Sequence, residues 1–581
     1  MIIEPRGGDA EDDASSTKKR SLLAIAGSLL GEINLPKLAL AWIILAGLPG
    51  LLLGLAPLVV TAWFASVSDR ITALVSIGPL LLLVLVAALG WFGVRPLFRA
   101  AERSFWSLNS LAVQPCYALC REGLRHLAER FLSLNASEDR RANLRAATAL
   151  GAGLGACAVA AGLAALAWPS TRWSGEFADL AQPLRLVVPA LANTIVLMAG
   201  YLAVASLAWG VADASMDQPR DLAAFDEAPP SAARWRVAHL SDIHVVGERY
   251  GFRIESGRAG PRGNERLALV LDRLAQIHAQ DPLDLVLITG DMTDAGRSAE
   301  WAEFLEALAQ HPALAERVFI LPGNHDVNIV DRANPARLEL PTSPGKRLRQ
   351  MRTLSAMAAV QGERVHVLDR GRTRLGGTLS EALEPHRRTI ASFADAGTLR
   401  LSAGLANIWA DVFPMLLPPA DEEGLGLVLL NSNAETHFSF TNALGLVAEE
   451  DMQAMLAILR QFPKARWIIA LHHHPVEYPS PAKAFSERIG TALINGSRFV
   501  RQLKPSARRL VAMHGHRHID WIGRCGPLKI VSAPSPVMEA TDDQPTSFYI
   551  HTLAAATDGG LALLEPQRIE IAPEPLASFT P

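Results

Sequence analysis

Histidine is nearly missing from the first 230 residues of this 581-residue chain, where only His126 of the sixteen occurs. Cysteine is scarce throughout: Cys116, Cys120, Cys157 and Cys525 are the only four, and no two form a Cys-x-x-Cys pair. That excludes a thiolate zinc site and a disulfide framework. Cys116 and Cys120 lie four apart, on one face of a helix, where free cysteine packs as a small hydrophobe in a reducing compartment. A net charge of -3 gives no strong excess of either sign, so nucleic acid is not expected as a partner.

Charge is absent altogether from four stretches, which lie between Lys37 and Asp69, Arg70 and Arg95, Arg145 and Arg172, and Arg185 and Asp213. Each is long enough to cross a bilayer core, which takes about 20 apolar residues in helical form. The expected spans are about 38–64, 71–94, 146–168 and 186–212, giving an α-helical membrane bundle over 36–213 behind a disordered or interfacial tail over 1–35. The third run is rich in Ala and Gly, which suits packing inside the bundle. Pro49-Gly50 and Pro57 suggest a kink in the first. Basic residues crowd the segment 95–145, from Arg95 and Arg99 to Arg141 and Arg145, and also precede the first span at Lys18, Lys19 and Arg20. The positive-inside tendency then places both termini, the Arg-rich segment and everything after the fourth span in the cytoplasm. A multi-pass protein of a bacterial-type inner membrane, with the bilayer as partner, is the expectation. Within the Arg-rich segment Leu124, Leu127 and Phe131 recur at helical spacing, which suits an amphipathic helix.

What the first part lacks, the second has in concentrated form. Residues 214–233, with Pro219, Pro229 and Pro230, have linker composition. From there strand and helix alternate through about residue 575. Apolar strands are expected at Arg236–Leu240, Leu283–Thr289, Val318–Leu321, Gly426–Leu430, Trp467–Leu471 and Leu510–Met513, with helices at Leu267–Ile277 and Trp301–Leu308. Five blocks of metal-ligand residues follow such strands: Asp242-Ile243-His244, Gly290-Asp291, Gly323-Asn324-His325-Asp326, His472-His473-His474-Pro475 and Gly515-His516-Arg517-His518. Carboxylate, imidazole and amide oxygen in these numbers suit two adjacent divalent or trivalent cations. Strand ends are where α/β proteins build their sites.

The order and residue types of these blocks resemble the calcineurin-like metallophosphoesterase family, over about residues 234–552. The resemblance implies a four-layer α/β/β/α sandwich and two metal ions (Mn, Fe or Zn). It also implies roles for the residues: Asp242, His244, Asp291 and His518 around one ion, and Asp291, Asn324, His472 and His516 around the other. Asp291 would bridge the two, and a water shared between them would become hydroxide and attack phosphorus. His325 would contact a phosphate oxygen or assist the leaving group, oriented by Asp326. Three histidines precede Pro475 where the family shows two, which leaves His472 and His473 both open as the ligand, His472 being favoured by its place at the strand end.

Residues 331–419 carry Arg337, Lys346, Arg347, Arg349 and Arg352 and are too long for a structureless loop. A cap or helical insert is expected there, its basic face turned to an anionic substrate, to lipid headgroups or simply to solvent. The whole reads as a membrane-anchored phosphohydrolase for a phosphate-ester substrate, either nucleotide or lipid-linked. The Gly-Asn-His-Asp and His-His-Pro-like forms resemble the phosphodiesterase branch of that family, which implies a phosphodiesterase; a phosphomonoesterase, a lipid-linked pyrophosphatase and a membrane signalling protein with a phosphoesterase output are the alternatives.

Overall fold

The computed structural model describes residues 35–43, 47–70, 114–129, 137–176, 182–247, 262–331, 343–369, 374–395, 398–436, 439–479, 493–538 and 544–572, with Asp179, Arg337, Glu339 and Thr491 between them. Contacts divide the chain into two compact units, one over Asn34–Met216 and one whose described part starts at Asp217.

The first unit is helical. It holds α1 (Leu35–Trp42), α2 (Leu48–Arg70), α3 (Gln114–Glu129), α4 (Glu138–Ala167) and α5 (Pro183–Ala214). Among the described residues two helices are long and apolar enough to cross a membrane, Asp139–Ser170 and Leu184–Ala214. Of the four expected spans, the described residues thus support two. In the first run the described apolar helix, Leu48–Phe64, is shorter. The second expected span, 71–94, lies outside the described residues.

Small residues set how closely these helices pack. A Cβ on Gly153 of α4 would lie 2.8 Å from the Ser206 carbonyl oxygen of α5 and 3.1 Å from the Cα of Gly210. Buried Asn193 of α5 donates to the carbonyls of Gly54 and Arg172, at 3.1 and 2.6 Å. Helix α3 packs through Tyr117 and Cys120 against Ala152. Leu124 and Leu127 of the expected apolar face are exposed instead, and Phe131 lies outside the described residues. Arg121 and Tyr117 both bond Asp213 at the end of α5, at 2.6 and 3.0 Å.

The second unit is α/β with two mixed sheets. The larger runs β1-β11-β12-β10-β9-β8-β7-β5-β6, and the smaller β14-β13-β2-β3-β4, where β13 is Thr546–Ala555 and β14 is Leu561–Leu563, with β15 (Gln567–Ile571) on β13. In the larger sheet β8 (Leu425–Leu429), β9 (Arg466–Ala470), β10 (Leu510–His514) and β12 (Leu528–Ser532) are mutually parallel. So are β2 (Arg234–Leu240), β3 (Leu285–Ile288) and β4 (Val318–Ile320) in the smaller. Strands β3, β4, β9 and β10 are buried at every position, the near-continuous apolar pattern of strands covered on both faces. Val237, Leu287 and Ile320 of one sheet share a single core with Leu427, Ile468 and Val511 of the other. The ligand blocks directly follow β2, β3, β4, β9 and β10, so both sheets present them at carboxyl ends.

Two segments are more built-in than their composition suggests. In the expected linker, β1 (Pro219–Asp221) pairs antiparallel with β11 (Trp521–Cys525), and the Leu222 amide continues onto the Ile522 carbonyl at 3.2 Å. Residues 331–419 add β5 (His366–Asp369), β6 (Arg374–Thr378) and β7 (Met415–Leu417) to the edge of the larger sheet. The same segment supplies a helix that packs on β4 and on the turn after it. Further helices flank the strands, among them α6 (Arg262–Gln280) and α7 (Ser298–Ala309).

Glu300 in the first turn of α7 is 1% exposed and accepts the amides of Ala295 and Arg297 at 2.9 and 3.0 Å. Burial raises its pKa to about 7, against the opposing pull of Arg297. Between its ordinary value and 7 the folded state keeps a proton that the unfolded chain has lost, so this group's contribution to stability falls as pH rises through that window. Glu300→Gln removes that dependence. The melting temperature of the variant relative to the parent should therefore climb from pH 5 to pH 8; an equal difference at both pH values would contradict it.

Candidate metal centre

Local backbone geometry singles out the ligand blocks. Among the described residues, the non-glycine positions with positive φ are Asp242 (56°), His244 (49°), Asp291 (50°), His516 (77°) and His518 (52°). A side chain in this left-handed region costs on the order of 1–3 kcal/mol and persists only where surrounding structure imposes it. All five residues belong to the set read from sequence. Each strand-end turn twists back so that its side chain reaches over the sheet edge.

Backbone bonds lock the turns together. The amides of Asp242 and His244 donate to the carbonyls of Gly290 and Asp291 at 3.0 and 2.9 Å, and the His516 amide donates to Asp242 Oδ2 at 2.9 Å. Helix α8 (Asn324–Val327) starts at Gly323, and the His325 amide donates to Asp291 Oδ1 at 2.8 Å. Gly323 has no substitute here: a Cβ would fall 2.0 Å from Asp291 Oδ1 and 2.2 Å from its amide nitrogen. Gly290, at φ 100°, has a Cβ position only 2.4 Å from His472 Nδ1.

At the centre, acceptors face one another. His472 Nδ1 lies 2.7 Å from the Thr289 carbonyl, which fixes the proton on that nitrogen. Its Nε2 then turns a lone pair toward Asn324 Oδ1, Asp291 Oδ2 and His516 Nδ1, each at 3.1 Å. Asn324 Oδ1, Asp291 Oδ2 and His472 Nε2 are electron-pair donors whatever the His516 tautomer, and at such spacing they call for a cation or a captured proton among them. Asp291, His472 and His516 form one group whose donor atoms lie within 4.8 Å of one another, and Asp242, His244 and His518 form another. Those residues fit a dinuclear centre, which suits ions of either hard or borderline type.

Protons compete for the same place. Burial works against a charge on His472, but Asp291 and Asp242 prevail and raise its pKa to about 9. Asp242 behaves in the opposite sense: burial pushes its pKa up, and His518 brings the net shift below the usual value.

The structure also separates residues that the sequence left ambiguous. His472, not His473, meets Asp291 and Asn324; the His473 Nδ1 meets Ser432 Oγ at 2.9 Å. His474 stacks on Tyr478 and lies 3.5 Å from Glu477. Asp326 does not orient His325. Its Oδ1 accepts from the Thr293 amide and hydroxyl at 2.9 and 2.7 Å, and its Oδ2 from the Gly323 amide at 2.8 Å. It therefore braces the turn, with a pKa raised to about 7 by burial and by Asp291. His325 Nδ1 meets the Asp294 carbonyl at 2.8 Å instead. Asp294 was missed from sequence, although it forms a third group with His244 and His325. Its place three residues after Asp291, in the same strand-end turn, was the available signal.

Residues 236–520 match the family model described as calcineurin-like phosphoesterase. The C-terminal unit carries a calcineurin-like phosphoesterase domain. It is a hydrolase domain acting on phosphate esters, of a family that typically uses a dinuclear metal centre. Solved structures similar to the chain include a putative 5'-nucleotidase from Staphylococcus aureus (13% identity, 59% of this chain and 55% of that one, TM-score 0.31). A dimetal phosphatase from Danio rerio (13%, 58% and 98%, TM-score 0.32) and calcineurin-like phosphoesterase YfkN from Bacillus subtilis (12%, 59% and 91%, TM-score 0.29) are similar as well. The chain thus spans about half the length of the first of these proteins. Comparison with curated proteins gives no match.

Gly323→Ala tests how the phosphoesterase domain holds its ligands. The added methyl must displace Asp291, so manganese bound per chain should drop at least tenfold, while the metal-free protein loses only about 1–3 kcal/mol of stability. Metal analysis and chemical denaturation read the two effects; full metal content in the variant would refute the packing argument.

Proposed function

We propose that the protein is a membrane-anchored phosphodiesterase with a dinuclear metal centre. The observation that supports it most is the meeting of His472, Asn324, Asp291 and His516 at 3.1 Å spacing, where only a cation or a captured proton can join them. In this reading Asp242, His244, Asp291 and His518 hold one ion, and Asp291, Asn324, His472 and His516 the other. Bound ions of this kind supply Lewis acidity toward phosphoryl oxygen and acidify water. The chain's own residues set the geometry: Thr289 fixes the His472 tautomer, and Asp326 holds the turn that carries Asn324 and His325. His325, its ring oriented by the Asp294 carbonyl, contacts the phosphoryl group and passes a proton to the departing oxygen as the P–O bond to it breaks.

Diester over monoester rests on the Gly323–Asp326 and His472–Pro475 blocks. Bis(4-nitrophenyl) phosphate and 4-nitrophenyl phosphate, assayed with manganese-loaded full-length protein, test it. The diester should be preferred in kcat/KM, and Asp291→Asn should lower that value by roughly a hundredfold or more. Preference for the monoester would make it a phosphomonoesterase, and an unaffected Asp291→Asn would sink the reading.

The anchor is the N-terminal unit. Only 22% of the most apolar part of each of Asp139–Ser170 and Leu184–Ala214 is buried, which favours lipid-facing helices over the core of a soluble unit. Leu154, Val159, Leu166 and Val204 face outward, as lipid-facing residues do. The Arg-rich segment supports a cytoplasmic placement of the phosphoesterase domain at an inner membrane. A C-terminal alkaline-phosphatase fusion should then be inactive in a bacterial host, and an active fusion would reverse the orientation.

A further inference from the structure

Beside the metal centre lie two buried cations that nothing in the proposed mechanism uses. They stand on α9 (Pro344–Gln361), in the segment 331–419. Lys346 is 2% exposed and Arg347 5%, yet among the described residues neither forms an ion pair. The Lys346 ammonium has a single hydrogen bond, a long one of 3.5 Å to the Thr436 carbonyl. Arg347 bonds the Gln350 side chain through one terminal nitrogen, and its buried Nε meets no acceptor. Lysine and arginine are almost never fully buried unpaired, because the desolvation cost is several kcal/mol per ion in real proteins. Neighbouring Arg349, by contrast, is paired with Glu339 and bonds the Val327 carbonyl at 3.2 Å.

The surroundings of these cations are polar and also unsatisfied. Thr436 Oγ1 and Asn433 Oδ1 are buried without a hydrogen-bond partner. Both belong to the loop after β8, at the carboxyl end of the larger sheet. Asn433 donates to the Pro322 carbonyl, next to the Gly323-Asn324 turn, at 3.0 Å. Helix α9 is fixed against that same turn through Thr353, whose hydroxyl donates to the Asp326 carbonyl at 3.2 Å. Its first turn therefore lies on the side of the ligand-bearing edge. Glu435 is the acid that most strongly offsets Lys346, but it is exposed and forms no ion pair with it; burial lowers the lysine's pKa.

We propose that Lys346 and Arg347, with Thr436, form a subsite for a second anionic group of the substrate, phosphoryl or carboxylate, beyond the scissile phosphate. The two cations and the hydroxyl supply donors, and the anion completes a charge balance that the folded chain leaves open. This rests on the phosphoesterase reading of the neighbouring centre and narrows its substrates to those with at least two anionic groups. Nonspecific aryl diesters reach only the metals.

Two measurements on the full-length protein test it. The first uses manganese-loaded enzyme and three 4-nitrophenyl alkyl phosphodiesters whose alkyl arm ends in methyl, carboxylate or phosphate. An anionic arm should raise kcat/KM about tenfold or more, as a charge-assisted contact does. The better of the two anionic arms identifies the group. Lys346→Met should bring the ratio of anionic to methyl arm close to one. Equal rates for all arms, or a ratio that survives Lys346→Met, would overturn the subsite. The second measurement needs no turnover: inorganic phosphate or acetate is added to chelator-treated protein and the melting temperature followed. A rise seen in the parent and lost in Lys346→Met supports the subsite even if no diester is cleaved. Absence of any rise in the parent overturns it even if cleavage is brisk.

Discussion

Mutual repulsion among buried electron-pair donors is the constraint on which the rest of the phosphoesterase domain depends. Asp291 Oδ2, Asn324 Oδ1, His472 Nε2 and His516 Nδ1 crowd one small volume, and the Thr289 carbonyl denies His472 the other tautomer. Such a set is unfavourable until a cation or a captured proton joins it. The five left-handed residues add strain in the same place. A chain can sustain both only if the elements around the site hold it firmly: β3, β4, β9 and β10 are buried at every position, β2 over its last four residues, and all share one core. Ions bound there would add their binding energy to the stability of the folded domain.

The two-sheet arrangement follows from that need. One sheet contributes Asp242, His244, Asp291 and Asn324, the other His472, His516 and His518. Carboxylates thus come mainly from one sheet and imidazoles from the other. Bonds such as His516 amide to Asp242, and His472 Nδ1 to Thr289, run between the two sets and keep them in register. Neither sheet by itself contains either of the two candidate groups, Asp242 with His244 and His518 or Asp291 with His472 and His516.

Much of this was legible in the sequence because the signals were local. A run such as Trp467–Leu471 can only be a covered strand, and a polar block after it can only sit at the sheet's edge. Choosing between His472 and His473 needed the third dimension, since the two differ only in which of Asp291 or Ser432 they meet. The part played by Asp326 was misread for a related reason. Sequence adjacency to His325 suggested a partner, but a residue three places after Gly323 in a helical turn reaches back to that glycine's amide instead. Linker composition likewise concealed β1, because a three-residue edge strand needs little apolar character to be held by β11. In the first unit, uncharged length was taken as span length, whereas the described apolar helix of the first run, Leu48–Phe64, is shorter than a span.

Glycine shows how one structural device serves two kinds of packing. In the helical unit a Cβ on Gly54 would lie 1.8 Å from the Ala190 carbonyl oxygen, and Gly153 and Gly210 are in comparable contact. What the close approach gains there is dispersion between backbones. In the phosphoesterase domain Gly323 and Gly515 lie equally close to Asp291 and to Ser241. There the gain is electrostatic: the turns can bring ligand-bearing side chains within reach of a shared ion. A methyl group in the first setting would separate two helices that still have most of their surfaces to pair. In the second it would move a carboxylate by a distance that matters at every bond it makes. The tolerance of the two units to the same substitution should therefore differ in kind, with graded loss of packing in one and loss of the site in the other.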